Sequence, residues 1–249
     1  MTPDDVPERR REELAANLGD VRHRIAVACA AADRHVADVE LIAITKTFPA
    51  ADVIVLAGLG LTEFGESRDQ EAAPKAAEVA RLAPLDALNW HFVGALQTNK
   101  CTSVVSYASI VHSVDRLRLV GGLGKAAAAA GLVLRCLVQI DLDDVSLPGR
   151  AGARPSDVAA VAAAIDGHPH LELAGVMAVA PLHAEAPAAD VLAVFGQLAR
   201  LADAVRQRYP AATVISAGMS GDLEAAVANG ATHLRVGSAL LGVRRHSVR

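Results

Sequence analysis

Lys46 closes the apolar run Val39–Thr45 and sits between two threonines, where an ordinary surface lysine is out of place. Two readings are open. Either it ends a strand and extends its ammonium to water, or it is desolvated, which disfavours the charged form and leaves an amine able to attack an aldehyde and give a Schiff base. In the last third of the chain, SAGMSGDLEAAV sets Ser216, Gly218, Met219 and Ser220 in a turn ahead of a helix expected near Gly221. Hydroxyls and backbone N–H groups that converge before a helix favour an anion. A second donor-rich turn, RVGSALLG, holds Gly237 and Ser238. Arg235 leads into it and either pairs with a carboxylate or lies against a ligand ring.

Other polar groups end apolar runs: Glu66 with Ser67, His91, His112, Asp141 and Met177. His91 is either a hydrogen-bonded core histidine or a catalytic group. His168 and His170 are spaced like a metal pair but have no third ligand nearby, so no metal site is expected. Cys29, Cys101 and Cys136 form no C-x-x-C pair, which removes a zinc knuckle or a redox dithiol.

These residues need a scaffold that gathers strand ends. Eight short apolar runs occur, at Val39–Thr45, Leu61–Gly65, Ala87–Gly94, Ser109–Val114, Val133–Leu142, Leu171–Val179, Thr213–Gly218 and Thr232–Gly237. Helical stretches such as Asp115–Ala130, Pro155–Ile165 and Asp190–Tyr209 lie between them, an alternation that implies parallel strands with crossover helices. Eight such units in about 250 residues make a single (β/α)8 TIM barrel. The competing doubly wound sheet calls for a G-x-G-x-x-G turn after the first strand, and Thr45-Lys46-Thr47 stands there instead. Leu14, Leu18, Val21, Ile25 and Cys29 trace one face of an extra N-terminal helix within residues 1–35, expected on the barrel exterior. The reading is one domain over 1–249. Asp143–Arg154 is its most loop-like segment and follows a strand end, where barrel sites are built.

The 249 residues carry a formal net charge of −4 and are 52% hydrophobic, which excludes a disordered chain and argues against a nucleic-acid partner. The charged N-terminus is no signal peptide, and no apolar run reaches the roughly 20 residues of a membrane span. Free thiols suit a reducing compartment, so the expected location is the cytoplasm.

A lysine able to form an imine and a phosphate cup across one mouth together describe pyridoxal 5′-phosphate (PLP) binding. The blocks IAITKT, FGESRDQE, WHFVGALQTNK, VHSVD and GMSGDLEAAVANGATHLRVGSALLG, in this order, closely resemble the pyridoxal phosphate homeostasis protein family, whose members look like the barrel domain of alanine racemase. The resemblance implies that Lys46 carries the cofactor, that Ser216, Gly218, Met219, Ser220, Gly237 and Ser238 hold its phosphate, and that Arg235 faces the pyridine nitrogen. A cation there weakens the ring as an electron sink. Ser67 replaces the asparagine usual in the family, whose amide is thought to contact the ring hydroxyl. Ser238 replaces a common threonine and keeps the hydroxyl.

The resemblance implies an intracellular carrier of PLP supplying PLP-dependent apoenzymes, without robust catalysis; with no racemase-like second domain to supply a dimer surface, a monomer is expected. The alternative is an amino-acid racemase of the alanine racemase barrel class. Two-base racemisation needs a second acid–base group facing the lysine, and only Tyr107 and Tyr209 are available, both on expected outer segments. A class I aldolase is a third option, with no use for the arginine.

Overall fold

The computed structural model describes residues 6–83, 88–142, 151–180 and 188–242. Eight strands close a parallel barrel in sequence order: β1 Glu40–Ile44, β2 Glu63–Glu66, β3 Asn89–Phe92, β4 Ile110–Val114, β5 Leu134–Gln139, β6 Leu171–Met177, β7 Val214–Ser216 and β8 His233–Val236. β8 pairs back onto β1, with Arg235 opposite Ile42. The strands are shorter than the apolar runs that encode them, because the run ends turn outward into the loops that carry the polar groups.

Helices α2 Ala50–Gly58, α3 Asp69–Leu82, α4 Cys101–Val105, α5 Leu117–Ala130, α6 Val158–Asp166, α7 Ala188–Arg208, α8 Leu223–Ala228 and the short α9 Ser238–Leu241 follow strands β1 to β8 in turn. The larger hydrophobic core lies between them and the sheet, with Leu41, Phe64, Val111, Val138, Leu173 and Val236 among its strand residues. A smaller cluster of Ile110, Leu137, Ala174, Met177 and Val214 is separate from it. This division follows from the two-residue strand period, which sends alternate side chains outward to the helices and inward to the lumen.

The N-terminal helix α1, Glu8–Ala31, buries Leu14, Leu18, Val21, Ile25, Ala28 and Cys29 as one stripe, a burial worth ~1.5–3 kcal/mol for each large aliphatic. It lies outside the barrel and is tied to the chain's last elements. Asn17 Nδ2 donates to the Leu240 carbonyl at 3.0 Å, Arg10 Nη2 to that of Leu241 at 3.1 Å, and Arg24 Nη1 to that of Ser220 at 3.0 Å.

The helix expected near Gly221 begins at Leu223, because the Asp222 carboxylate turns back to accept the Met219 N–H and keeps 219–222 a turn. Of the loop Asp143–Arg154, residues 143–150 lie outside the described residues. At its end Ala153 joins the edge of the mouth, its N–H donating to the Gln139 carbonyl at 2.8 Å.

Register shifts between Cys136 and Leu137 where β5 meets β6, and Gly175 has φ +150° close by. A Cβ at Gly175 would lie 2.0 Å from the Val214 carbonyl oxygen, inside the β6–β7 ladder. Gly175→Ala is therefore expected to destabilise the barrel by about 3 kcal/mol through backbone displacement, read as a lowered urea midpoint. A midpoint within a few tenths of a kcal/mol of the parent would contradict this packing.

Candidate functional site

Lys46 follows β1 in a tight turn. Phe48 N–H donates to the Thr45 carbonyl at 3.0 Å, and Thr47 adopts φ +69°, unusual for a β-branched residue. Two carboxylates hold this strained turn. Glu71 of α3 accepts the Thr47 N–H at 3.1 Å. Glu66 at the end of β2 accepts the Thr45 hydroxyl at 2.7 Å, and the buried Lys75 ammonium bridges Glu66 Oε1 at 2.5 Å and the Thr45 carbonyl at 2.7 Å. A second lysine thus neutralises the carboxylate beneath the turn. Lys46 itself is exposed and has no ion-pair or hydrogen-bond partner among the described residues. This corrects the desolvated alternative: the strand ends at Ile44, and Lys46 projects past its mouth.

The loops after β2, β7 and β8 flank it, because β8, β1 and β2 are adjacent in the barrel. Ser67 follows β2 and is half-buried, its carbonyl packed against the backbone of Gly94. After β7, buried Gly218 has φ +87°, and a Cβ there would come within 2.7 Å of Ala226 and 2.8 Å of Leu234. Its carbonyl accepts the Arg235 N–H at 2.9 Å, which fastens this loop to β8. Met219 and Ser220 are half-buried, and Ser220 Oγ accepts the Ala239 N–H at 3.2 Å. Gly237 is half-buried beside Ile44 and Ser238 is exposed, at the start of α9. The two donor-rich turns therefore share one rim with Lys46.

His91, Ser216 and Arg235 lie lower, in the lumen. His112 Nδ1 and Ser216 Oγ are 2.9 Å apart. β4 and β7 stand across the barrel from each other, so this contact passes through the interior. His91 Nδ1 is 2.8 Å from His112 Nε2, and His91 Nε2 is 2.6 Å from Glu63 Oε2. Arg235 donates from Nη1 to Ser216 Oγ at 2.6 Å and from Nη2 to the Ala178 carbonyl at 2.8 Å. Barrel lumens are dominated by branched aliphatics; this one carries a hydrogen-bonded polar thread. Arg235 is only 4% exposed, and among the described residues no carboxylate pairs with it. Burial brings its guanidinium down to about 10, with Asp222 acting in the other direction, so it stays charged at neutral pH. Burial, followed by His91 and Arg235, holds His112 well below the usual imidazole range. The Glu63 carboxyl titrates below its ordinary value: burial opposes this, and the hydrogen bonds from His91 and Asn89 outweigh it.

Arg235 lies in the lumen beneath the mouth. The Ser216 hydroxyl engages Arg235 and His112 and is not presented with the turn groups. Both ring nitrogens of His91 are engaged below the mouth. Glu63, Glu71 and Lys75 escaped the sequence reading. Lys75 had a signal, since it falls on the buried stripe Ala72, Lys75, Ala76, Val79, where a lone lysine requires a partner. Tyr107 lies in the turn before β4, its phenol pushed up by burial and by the neighbouring Asp69 and Glu66; Tyr209 follows α7.

Residues 16–245 match the family model described as "Alanine racemase, N-terminal domain". The chain is 43% identical over 249 residues to a pyridoxal phosphate homeostasis protein of Mycobacterium tuberculosis, covering 95% of each. Its fold superposes on PipY of Synechococcus elongatus solved with PLP bound, at TM-score 0.78 and 34% identity, over 92% of this chain and all of that one. A protein of unknown function from Bifidobacterium adolescentis gives TM-score 0.87 at 26% identity, covering 94% and 97%.

Two measurements test the electrostatics. Lys75→Met strands the buried Glu66 carboxylate and should lower stability by about 3–5 kcal/mol, with Glu66→Gln added to it restoring part of the loss. Chemical denaturation of both variants reads this, and a neutral single variant would refute the pairing. His233 is driven down to about 4, by burial first and then by its neighbours His91 and Arg135. The unfolded chain therefore binds this proton at higher pH than the folded one, and stability should fall as pH drops from about 6.5 to 4, by on the order of 2–3 kcal/mol. His233→Gln should flatten that part of the stability–pH curve.

Proposed function

Because the chain belongs to the alanine racemase N-terminal-domain family and stands there with the pyridoxal phosphate homeostasis proteins, we propose that it binds pyridoxal 5′-phosphate and holds it reversibly within the cell. Lys46 presents a primary amine for covalent capture. The half-buried and exposed hydroxyls of Ser220 and Ser238, with the backbone of Gly218, Met219 and Gly237, receive an anionic tail. Arg235 supplies positive charge from below and uses two of its five N–H donors on protein acceptors. The donor set, an unpartnered amine with hydroxyls and a buried guanidinium, suits an anionic aldehyde. When bound, the cofactor supplies the aldehyde carbon and a ring able to withdraw electrons.

The observation that carries this reading is the Lys46 side chain, exposed and, among the described residues, unpartnered on a turn that Glu66, Lys75 and Glu71 hold in place. Rigid support of a flexible amine favours covalent capture, because the turn is already in place before binding. Ser67 is shorter than the family's asparagine, so its hydroxyl stands farther from the ring side than that amide would. Ser216 and His91 act beneath the site, by holding Arg235.

A carrier is the reading best supported over a racemase. Arg235 keeps positive charge where a ring nitrogen would otherwise gain a proton, which limits carbanion chemistry. Neither tyrosine of the chain sits in a loop that follows a strand, the side of the barrel where Lys46 stands. The proposal includes a cytoplasmic monomer that delivers its cargo to PLP-dependent apoenzymes.

Protein incubated with PLP and reduced with borohydride should gain one pyridoxyl phosphate on the peptide containing Lys46, located by mass spectrometry. Lys46→Ala should abolish that adduct, and an adduct of equal yield on another lysine would overturn the assignment. Deuterium incorporation into L-alanine with inversion by the loaded protein would favour the racemase.

A further inference from the structure

The lumen thread has a direction. An arginine only donates hydrogen bonds and an ionised carboxylate only accepts them. At one end Arg235 Nη1–H donates to Ser216 Oγ; at the other Glu63 accepts from His91, while its Oε1 accepts from Asn89 Nδ2 at 2.7 Å and from the Thr62 hydroxyl at 3.2 Å. Between these ends one arrangement satisfies every group. The Ser216 O–H donates to His112 Nδ1, His112 Nε2–H donates to His91 Nδ1, and His91 Nε2–H donates to Glu63. Both imidazoles are then neutral and both carry hydrogen on Nε2.

We infer that His91 and His112 are positioning residues that aim Ser216 at Arg235, and so link retention of an anionic aldehyde at the mouth to protonation of the lumen. This rests on the proposed role of Arg235 beside the cofactor ring. Glu63 opens β2, and its side chain is 13% exposed, so the thread runs from the N-terminal rim of the barrel to the floor of the mouth.

The linkage follows from counting hydrogens. The resting histidine pair holds two hydrogens on four ring nitrogens. One proton taken from water gives three, with His91 doubly protonated and donating from Nδ1 to His112 Nε2, and His112 carrying its hydrogen on Nδ1. His112 then donates to Ser216 Oγ alongside Arg235, and the serine hydroxyl loses its acceptor. The hydroxyl must swing to a new acceptor, and Arg235 then shares the serine oxygen with a second, competing donor. Every titratable neighbour is accounted for: Glu63 on β2 favours the added proton, while Arg235 and His233 on β8 and Arg135 on β5 oppose it. Glu40 on β1 faces Glu63, and Glu172 on β6 pairs with Arg135 at 3.4 Å. Among the described residues Glu63 is the one anion in direct contact with the pair, and its contacts there are Thr62, Asn89 and His91.

The test has two arms. In unliganded protein labelled with 15N-histidine at pH 7.5, long-range 1H–15N correlation should report the neutral Nε2–H tautomer for both His91 and His112. A neutral Nδ1–H tautomer or an imidazolium at either residue overturns the thread. In the second arm, PLP retention by equilibrium dialysis from pH 8 to 5.5 should weaken about tenfold through one protonation, the scale of one lost buried hydrogen bond. Glu63→Gln removes the carboxylate that favours the added proton, so its midpoint should move about one pH unit toward acid. An unmoved midpoint in a variant that retains PLP overturns the inference, since a purely structural role would change stability without shifting the profile. Wild-type protein with both expected tautomers but no PLP uptake at any pH overturns the cofactor reading and, with it, the link to retention.

Discussion

A guanidinium buried inside a barrel with no carboxylate against it among the described residues is held by neutral acceptors, and this constraint orders the lumen. Arg235 takes one acceptor from Ser216 and one from the Ala178 carbonyl. Ser216 can serve only if its own hydrogen has somewhere to go, which calls for His112; His112 in turn needs His91, and His91 needs Glu63. Each polar group is tolerable in that low-dielectric space because the next one satisfies it. The aliphatic residues Ile110, Leu137, Met177 and Val214 fill the rest of the interior.

The two lysines near the mouth illustrate a division of labour set by solvent. Lys75 is buried, so its ammonium is tied to Glu66 and to the Thr45 carbonyl. Lys46 is exposed, and among the described residues its amine has no partner. The same side chain is a strut in one place and a chemical handle in the other. The buried member holds the turn from which the exposed one reaches out.

The scaffold was legible because each β-branched run is bounded by turn residues and followed by a helix-length stretch, and local pattern suffices to describe a (β/α)8 chain. Lys46 was legible as a misplaced charge, and the two turns after β7 and β8 as clusters of glycine and serine. The lumen thread was not. Glu63, His91, His112, Ser216 and Arg235 stand on five different strands, and only barrel closure with its register brings β4 within a hydrogen bond of β7. No spacing along the chain encodes that. The desolvated alternative for Lys46 failed for a local reason: Thr47 takes a left-handed conformation and the strand stops at Ile44.

The attachment of α1 also bears on how the chain is made. Its acceptors are carbonyls of Ser220, Leu240 and Leu241, and Arg34 just beyond it binds those of Val227 and Ala231. The α1 side chains precede the carbonyls that hold them by 196 to 231 residues, so the apolar stripe of the helix is made well before the surface that covers it. Sealing β1 against β8 and seating that stripe both wait for the β8 region to be made, typical of a topology rich in sequence-distant pairings. The helix is thus made ahead of the surface that receives it and is among the later elements to find its place.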